Sequence, residues 1–362
     1  MHHNAFDALR LMAALAVLYS HSYALFGLPL PSPVVGQSFG SLAVYIFFSV
    51  SGYLVCSSWE RDSDFVRFWI RRSARILPGL FGAVVFTTFV IGPLMTSLPW
   101  SVYFMDYGTW AYFLSNITMV VGRFGLPGVF ENNPFANAAN ASLWTLRYEV
   151  LMYFSLSATG LLANKLNTKK IYTIGLLLLI SGWIANQYID HTNIIFTIFQ
   201  KLNFYFEKIF APIGLSFDWN ETLNLGIFFF TGSVLYIHRH KLKFNLAIAL
   251  VILAICGLIK EKNWANILLW ISIPYFSIAF SEKAPEFIKK LCKNDYSYGV
   301  YIYAFPIQQV ISWYFLKNNL PWIGSLLASV ILTYLFSKIS WTFIEHPSLQ
   351  WKSNYLRNKS CQ

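Results

Sequence analysis

Of 362 residues, 56% are hydrophobic and only 12% are charged, and the mean hydropathy is +0.49, a balance that excludes an ordinary soluble globular chain and marks a polytopic membrane protein. The net charge of +11 comes from lysines and arginines set between apolar stretches, so it calls for no nucleic-acid partner. Cys56, Cys256, Cys292 and Cys361 lack the paired spacing of a zinc site, and no P-loop, glycine-rich dinucleotide turn or HExxH pattern occurs; four free thiols and no metal are expected.

In chain order, apolar stretches of bilayer-spanning length predict helices over 8–27, 39–58, 76–97, 143–163, 171–189, 222–238, 244–260, 264–281, 296–316 and 321–344. No small-residue cleavage site follows the first stretch, which is therefore expected to be a span and not a leader. The expected fold is all-α with about ten transmembrane helices: one membrane domain over 1–347 and a short basic tail over 348–362. Loops after the even-numbered spans, with the tail, hold eighteen lysines and arginines, among them Arg61, Arg67, Arg71, Arg72 and Arg75. The alternate loops hold six: Arg123, Lys201, Lys208, Lys260, Lys262 and Lys317. That bias predicts both termini in the cytoplasm of an inner or plasma membrane protein. Two long segments, 98–142 and 190–221, then face outward. The first contains the turn-rich GLPGVFENNPFANAANAS, and the second contains FQKLNFYFEKIF, which could lie along the membrane surface.

The first span, FDALRLMAALAVLYSHSYALFG, carries two ionisable residues. From Arg10 to His21 is eleven helical steps, which returns to within 20° of the same face after a rise of about 16 Å. Arg10 could simply snorkel to the headgroups and His21 could be a satisfied interfacial residue. Two ionisable groups on one face of a membrane helix point instead to a functional cavity.

FDALRLMAALAVLYSHS resembles the N-terminal signature of acyltransferase family 3, in which an Asp, an Arg, ten intervening residues and a His occupy the first span, here Asp7, Arg10 and His21. GSLAVYIFFSVSGYLV is similar to the family's second span, at Phe47, Phe48, Ser51 and Gly52. FVRFWIRRSARILPGL resembles its basic cytoplasmic loop, at Arg72, Arg75 and Pro78. SLWTLRYEVLMYF matches its Leu-Trp-x-Leu-x-x-Glu element at Trp144 and Glu149. SYGVYIYAFPIQQ and WTFIEHP resemble its last two spans, at Tyr301, Pro306, Glu345 and Pro347. Two departures stand out. Many members carry a His where this chain has Ala304, so that region is assigned no catalytic role. Some members add an extracytoplasmic hydrolase-like domain, whereas this chain is expected to complete transfer in its membrane domain or with a partner.

The resemblance implies transfer of an acyl group, most often acetyl from acetyl-CoA, to a hydroxyl of an extracytoplasmic or lipid-linked glycan. The donor is a cytosolic polyanion, and Arg72 and Arg75, at i and i+3, could hold its phosphates bidentately; RRSAR could equally be a plain inward-positive signal. Arg10 would guide the pantetheine arm toward the outer half. His21 is the expected general base, or else an acylated relay. Glu149 would orient the imidazole or bind the acceptor hydroxyl, unless it pairs with Arg147. Asp7 is read as support for a nearby arginine and Trp144 as an acceptor contact. Succinyl-CoA is an alternative donor. From another class, the competing reading is a transporter or flippase in which Arg10, His21 and Glu149 line a substrate or proton path; the lack of an evident internal repeat speaks against it.

Overall fold

The computed structural model describes residues 5–119, 122–188, 217–291 and 294–360. Among them every regular element is helical, apart from isolated bridges between Val34 and Gln37 and between Thr96 and Val129. The α-helices are α1 (Phe6–Leu25), α2 (Phe39–Arg61), α3 (Phe65–Phe86), α4 (Gly92–Met95), α5 (Trp100–Met105), α6 (Tyr107–Thr118), α7 (Trp144–Lys165), α8 (Lys170–Tyr188), α9 (Trp219–Ile237), α10 (Leu246–Leu258), α11 (Lys262–Lys283), α12 (Glu286–Leu291), α13 (Ser297–Lys317), α14 (Trp322–Ser340) and α15 (His346–Ser360). Cys56 and Cys256 are buried free thiols. Cys292, Cys361 and FQKLNFYFEKIF lie outside the described residues.

Each of the ten predicted spans falls on a helix. Among the described residues, five stretches are long and apolar enough to cross a membrane: Phe6–Leu25, Phe39–Arg61, Phe65–Met95, Lys262–Lys283 and Trp322–Asn358. Three of the other predicted spans differ from these in evident ways. Asn245 caps α10 through its side-chain oxygen, and the helix ends at Leu258 after 13 residues, a rise of about 20 Å against a hydrocarbon core of about 30 Å. α7 carries Arg147 and Glu149. α13 is polar because it is enclosed by protein: every residue from Ser297 to Gln309 is buried. Two boundaries also differ from expectation. Asp64 accepts from the Arg67 N–H at 2.7 Å and starts α3 at Phe65, so RRSAR lies within a helix. In the first long segment, residues 100–118 form α5 and α6.

The described chain divides into two compact units that interleave along the sequence. The first comprises Met1–Val44, Asp64–Trp144 and Ala284–Gln362, with α13 at its centre. The Gln308 side-chain amide donates to the Leu18 carbonyl of α1 at 2.8 Å, the Tyr298 hydroxyl donates to the Ile76 carbonyl of α3 at 2.8 Å, and the Asn140 amide donates to the Ile302 carbonyl at 2.9 Å. Such bonds satisfy main-chain and amide groups that lipid could not. π-helical turns at Thr87–Ile91 and Trp341–Glu345 interrupt the runs α3–α4 and α14–α15.

The second unit, Tyr45–Ser63 and Thr145–Lys283, rests on a close crossing of α2 and α9. A Cβ on Gly52 would stand 1.8 Å from the Phe229 carbonyl oxygen, and one on Gly232 would stand 2.1 Å from that of Ser49. The Ser233 hydroxyl donates to the Gly52 carbonyl at 3.0 Å. Small residues thus let two membrane helices touch backbone to backbone. Beside them the Trp270 indole donates to Asn224 at 2.9 Å, and Asn224 donates to the Tyr45 hydroxyl at 3.0 Å.

Candidate active site

α1 is unbroken from Phe6 to Leu25, so the predicted spacing of Arg10 and His21 along it, about 16 Å, holds. At the Arg10 end a charged cluster forms in the first unit. Arg10 Nη1 donates to Asp295 Oδ2 at 2.6 Å, and Arg75 Nη2 donates to the same oxygen. The Ser297 hydroxyl donates to Asp295 Oδ1. Arg75 also faces Glu345 at 3.9 Å, and the π turn before α15 aims that buried carboxylate inward, where Ser340 donates to it at 2.9 Å. Burial pushes the Asp295 carboxyl up, but Arg10 and Arg75 together pull it down further, to about 2. Asp295 is therefore an anion that fixes both guanidinium groups.

The remaining basic groups gather nearby. Arg72 stands over the Phe68 ring at 5.9 Å, and Lys352 of α15 is within electrostatic reach of Arg72, Arg71 and Arg75. Arg72 and Arg75 do lie on one helix, yet their surroundings differ: Arg75 is tied to Asp295 and Glu345, whereas Arg72 lies with Arg71 and Lys352. Asp7 is half-buried and within electrostatic reach of Asp295, Arg10 and Arg75; the carboxylate to which both guanidinium groups donate is Asp295.

At the other end of α1, the His21 ring stands edge-on to Phe305 of α13, with centroids 5.1 Å apart. Its Nδ1 is buried with no hydrogen-bond partner. An orphaned buried imidazole nitrogen is costly unless something else uses it. Phe135 stands edge-on to Phe305 as well, at 5.6 Å. The side-chain oxygen of Gln308, three residues on, is likewise buried and unpartnered. An imidazole with an open nitrogen is suited to receive the proton of a hydroxyl group, and the open acceptor oxygen of Gln308 belongs to the helix that meets it.

Glu149 belongs to the second unit. It accepts from the hydroxyls of Tyr153 and, at 3.3 Å, Ser51. Arg147 stands over the rings of Tyr148 and Phe217 at 5.1 and 5.9 Å. Trp144 is the first residue of α7 and is half-buried behind a short turn at Ala141–Leu143. Among the described residues no group of three His, Cys, Asp or Glu could hold a metal.

Sequence reasoning passed over Asp295 because it is separated from Arg10 by 285 residues. The one available signal was a lone carboxylate in the basic stretch KKLCKND, immediately before a span. Ser51 was noted as part of a motif, without a signal that it would meet Glu149.

The profile of an acyltransferase domain family matches residues 3–341. An O-acetyl transferase of Shigella phage Sf6 is 29% identical over 94% of this chain and 95% of its own length. Nodulation protein 10 of Rhizobium leguminosarum is 24% identical over 99% and 96%. Peptidoglycan O-acetyltransferase OatA of Listeria monocytogenes is 25% identical over 94% of this chain, which spans 55% of that longer protein. No solved structure matches.

Proposed function

The chain belongs to the acyltransferase domain family resembled in its motifs and is an O-acyltransferase, and from that premise we propose that it carries acetyl from cytosolic acetyl-CoA to a hydroxyl of a surface polysaccharide or its lipid-linked precursor, with His21 as general base. Two relatives support the reading: both are named for O-acetyl transfer, one of them to peptidoglycan, and the other, the phage protein, matches nearly end to end. The observation that carries it is the buried, unpartnered Nδ1 of His21 on the helix that also presents Arg10.

In this reading the helices are ten spans with both termini cytoplasmic, as the eighteen-to-six distribution of basic residues requires. Arg71, Arg72, Arg75 and Lys352 then form a cytoplasmic basic surface for the phosphates of the donor. Arg10, held by Asp295, marks where the pantetheine arm enters, and the thioester reaches His21 about 16 Å further along α1. The imidazole takes the proton of the sugar hydroxyl as its oxygen bonds to the acyl carbon. The carbon–sulfur bond breaks, and the proton passes to the departing thiolate. Attack by His21 itself, with an acyl-imidazole between donor and sugar, uses the same position. Glu149, bonded to Tyr153 and Ser51, and Trp144 serve the acceptor.

The test is radiolabelled acetyl-CoA given to inside-out vesicles containing the chain. Release of free CoA with label on the glycan is expected. Donor left intact while glycan crosses the membrane would replace the enzyme with a transporter.

A further inference from the structure

One cavity of the first unit is unused by this chemistry. It has a volume of about 180 Å³; the apolar side chains of Met95 and Phe130 share its lining with Ser97, Glu131, Asn132 and Trp313. We propose that it binds a neutral sugar ring of the acceptor chain, beyond the ring that is acetylated. This rests on the proposed glycan acceptor and extends it to a second point of recognition.

The lining has the chemistry of sugar recognition. Trp313 offers an indole surface, 38% exposed, on which the apolar face of a pyranose can lie. Glu131 and Asn132 are exposed and present acceptors and an amide donor for ring hydroxyls. Ser97 donates to Glu131 at 3.1 Å, and Lys317 Nζ stands over the indole, 4.9 Å from its centroid, in a cation–π contact that holds the ring in place. The Glu131 carboxylate disfavours a uronic acid and so selects a neutral ring.

The walls are built, not incidental. Gly128 has φ +69, and a Cβ there would stand 2.6 Å from Thr96 Oγ1, so glycine alone fits. The Ser97 N–H donates to the Gly128 carbonyl at 2.9 Å, and the Thr96 hydroxyl donates to the Pro127 carbonyl at 2.8 Å. Phe130 follows at φ +57, a left-handed conformation for a bulky buried residue, which only firm surroundings maintain. Asn133 donates to Gln309 Oε1 at 2.6 Å, and Gln309 donates in turn to the carbonyls of Phe135 and Ala138, both at 2.8 Å.

α13 aligns this cavity with His21. Phe305, Gln309 and Trp313 recur every four residues and therefore share a face. Phe305 meets His21, Gln309 anchors the loop and Trp313 lines the cavity. Phe305 to Trp313 is eight residues, about 12 Å along the helix, on the scale of two linked sugar rings. A chain whose hydroxyl meets His21 can thus place a neighbouring ring against Trp313.

The test uses the full chain in proteoliposomes with acetyl-CoA. The acceptor is the de-O-acetylated surface polysaccharide of the producing strain, cut by mild acid into one-, two- and four-sugar fragments. Trp313→Ala and Glu131→Gln are each expected to raise KM for the four-sugar fragment about ten-fold. The kcat, the KM for acetyl-CoA and the KM for the single sugar should not change, and Trp313→Phe should restore most of the affinity. Unchanged KM for the long fragment in both variants would overturn the proposal. So would an equal loss on every fragment, which is what a membrane-interface anchor at Trp313 predicts. Should Trp313→Ala fail to fold, Glu131→Gln decides alone. Saturation-transfer NMR with the four-sugar fragment and no donor separates the two readings: sugar bound by the native chain and lost in Glu131→Gln, with no acetylation of any fragment, would retire the transfer reaction and keep the cavity.

Discussion

Replacing Asp295 with Asn removes the anion shared by Arg10 and Arg75 while keeping the shape of the side chain. The two guanidinium groups hold the carboxyl at about 2, against about 3.9 in an unfolded chain. A depression of that size corresponds to roughly 2–3 kcal/mol, and little discount for solvent applies because the Asp295 side chain is only 13% exposed. Since the folded value is the lower one, the contribution is complete above about pH 4 and is lost only as pH falls toward 2. Asp295→Asn is therefore expected to lose about 2–3 kcal/mol, and to lose it equally at pH 8 and pH 5. Reversible unfolding in mixed micelles, followed by tryptophan fluorescence at both pH values, measures this. A loss below about 0.5 kcal/mol, or one that fades between pH 8 and pH 5, would show that Arg10 and Arg75 do not hold an ionised Asp295.

Gly232→Ala drives a methyl group toward the Ser49 carbonyl, 2.1 Å away; overpacking of this kind should cost about 1–3 kcal/mol or more, read in the same unfolding assay. Arg72→Ala should raise KM for acetyl-CoA with a smaller loss of stability than Arg75→Ala, because Arg75 donates to Asp295; equal behaviour of the two in paired binding and unfolding measurements would contradict the division of roles. Accessibility tags at Lys169 and after Lys352 should report the cytoplasm and a tag at Asn319 the outside; a cytoplasmic Asn319 would invert the proposed path from Arg10 to His21.

Local pattern was the legible part of this molecule. Apolar run length placed the helices, and the eleven-residue spacing of Arg10 and His21 placed both on one unbroken helix, because helical geometry depends only on nearby residues. What stayed hidden depended on distant pairing. Asp295 is an unremarkable acid until the fold brings it to Arg10, and Gln308 and Gln309 look like interruptions of a span until their amides are seen tying α1 and the Asn133 loop to α13. Hydropathy also misjudged lengths. α10 starts later than its apolar run because Asn245 caps it, and α3 begins before its apolar run because Asp64 does. The cavity at Trp313 had no local signature, since its lining comes from three separated segments.

The central claim is that His21 moves a proton during acetyl transfer. His21→Gln keeps comparable size and hydrogen bonding but cannot take up a proton near neutral pH. The variant should remain folded, bind acetyl-CoA with native affinity and transfer acetyl at least about a hundred-fold more slowly, measured as label deposited on glycan in proteoliposomes at matched protein levels. Transfer at the native rate would contradict the account, leave His21 as a packing residue and move the search for the base to Glu149.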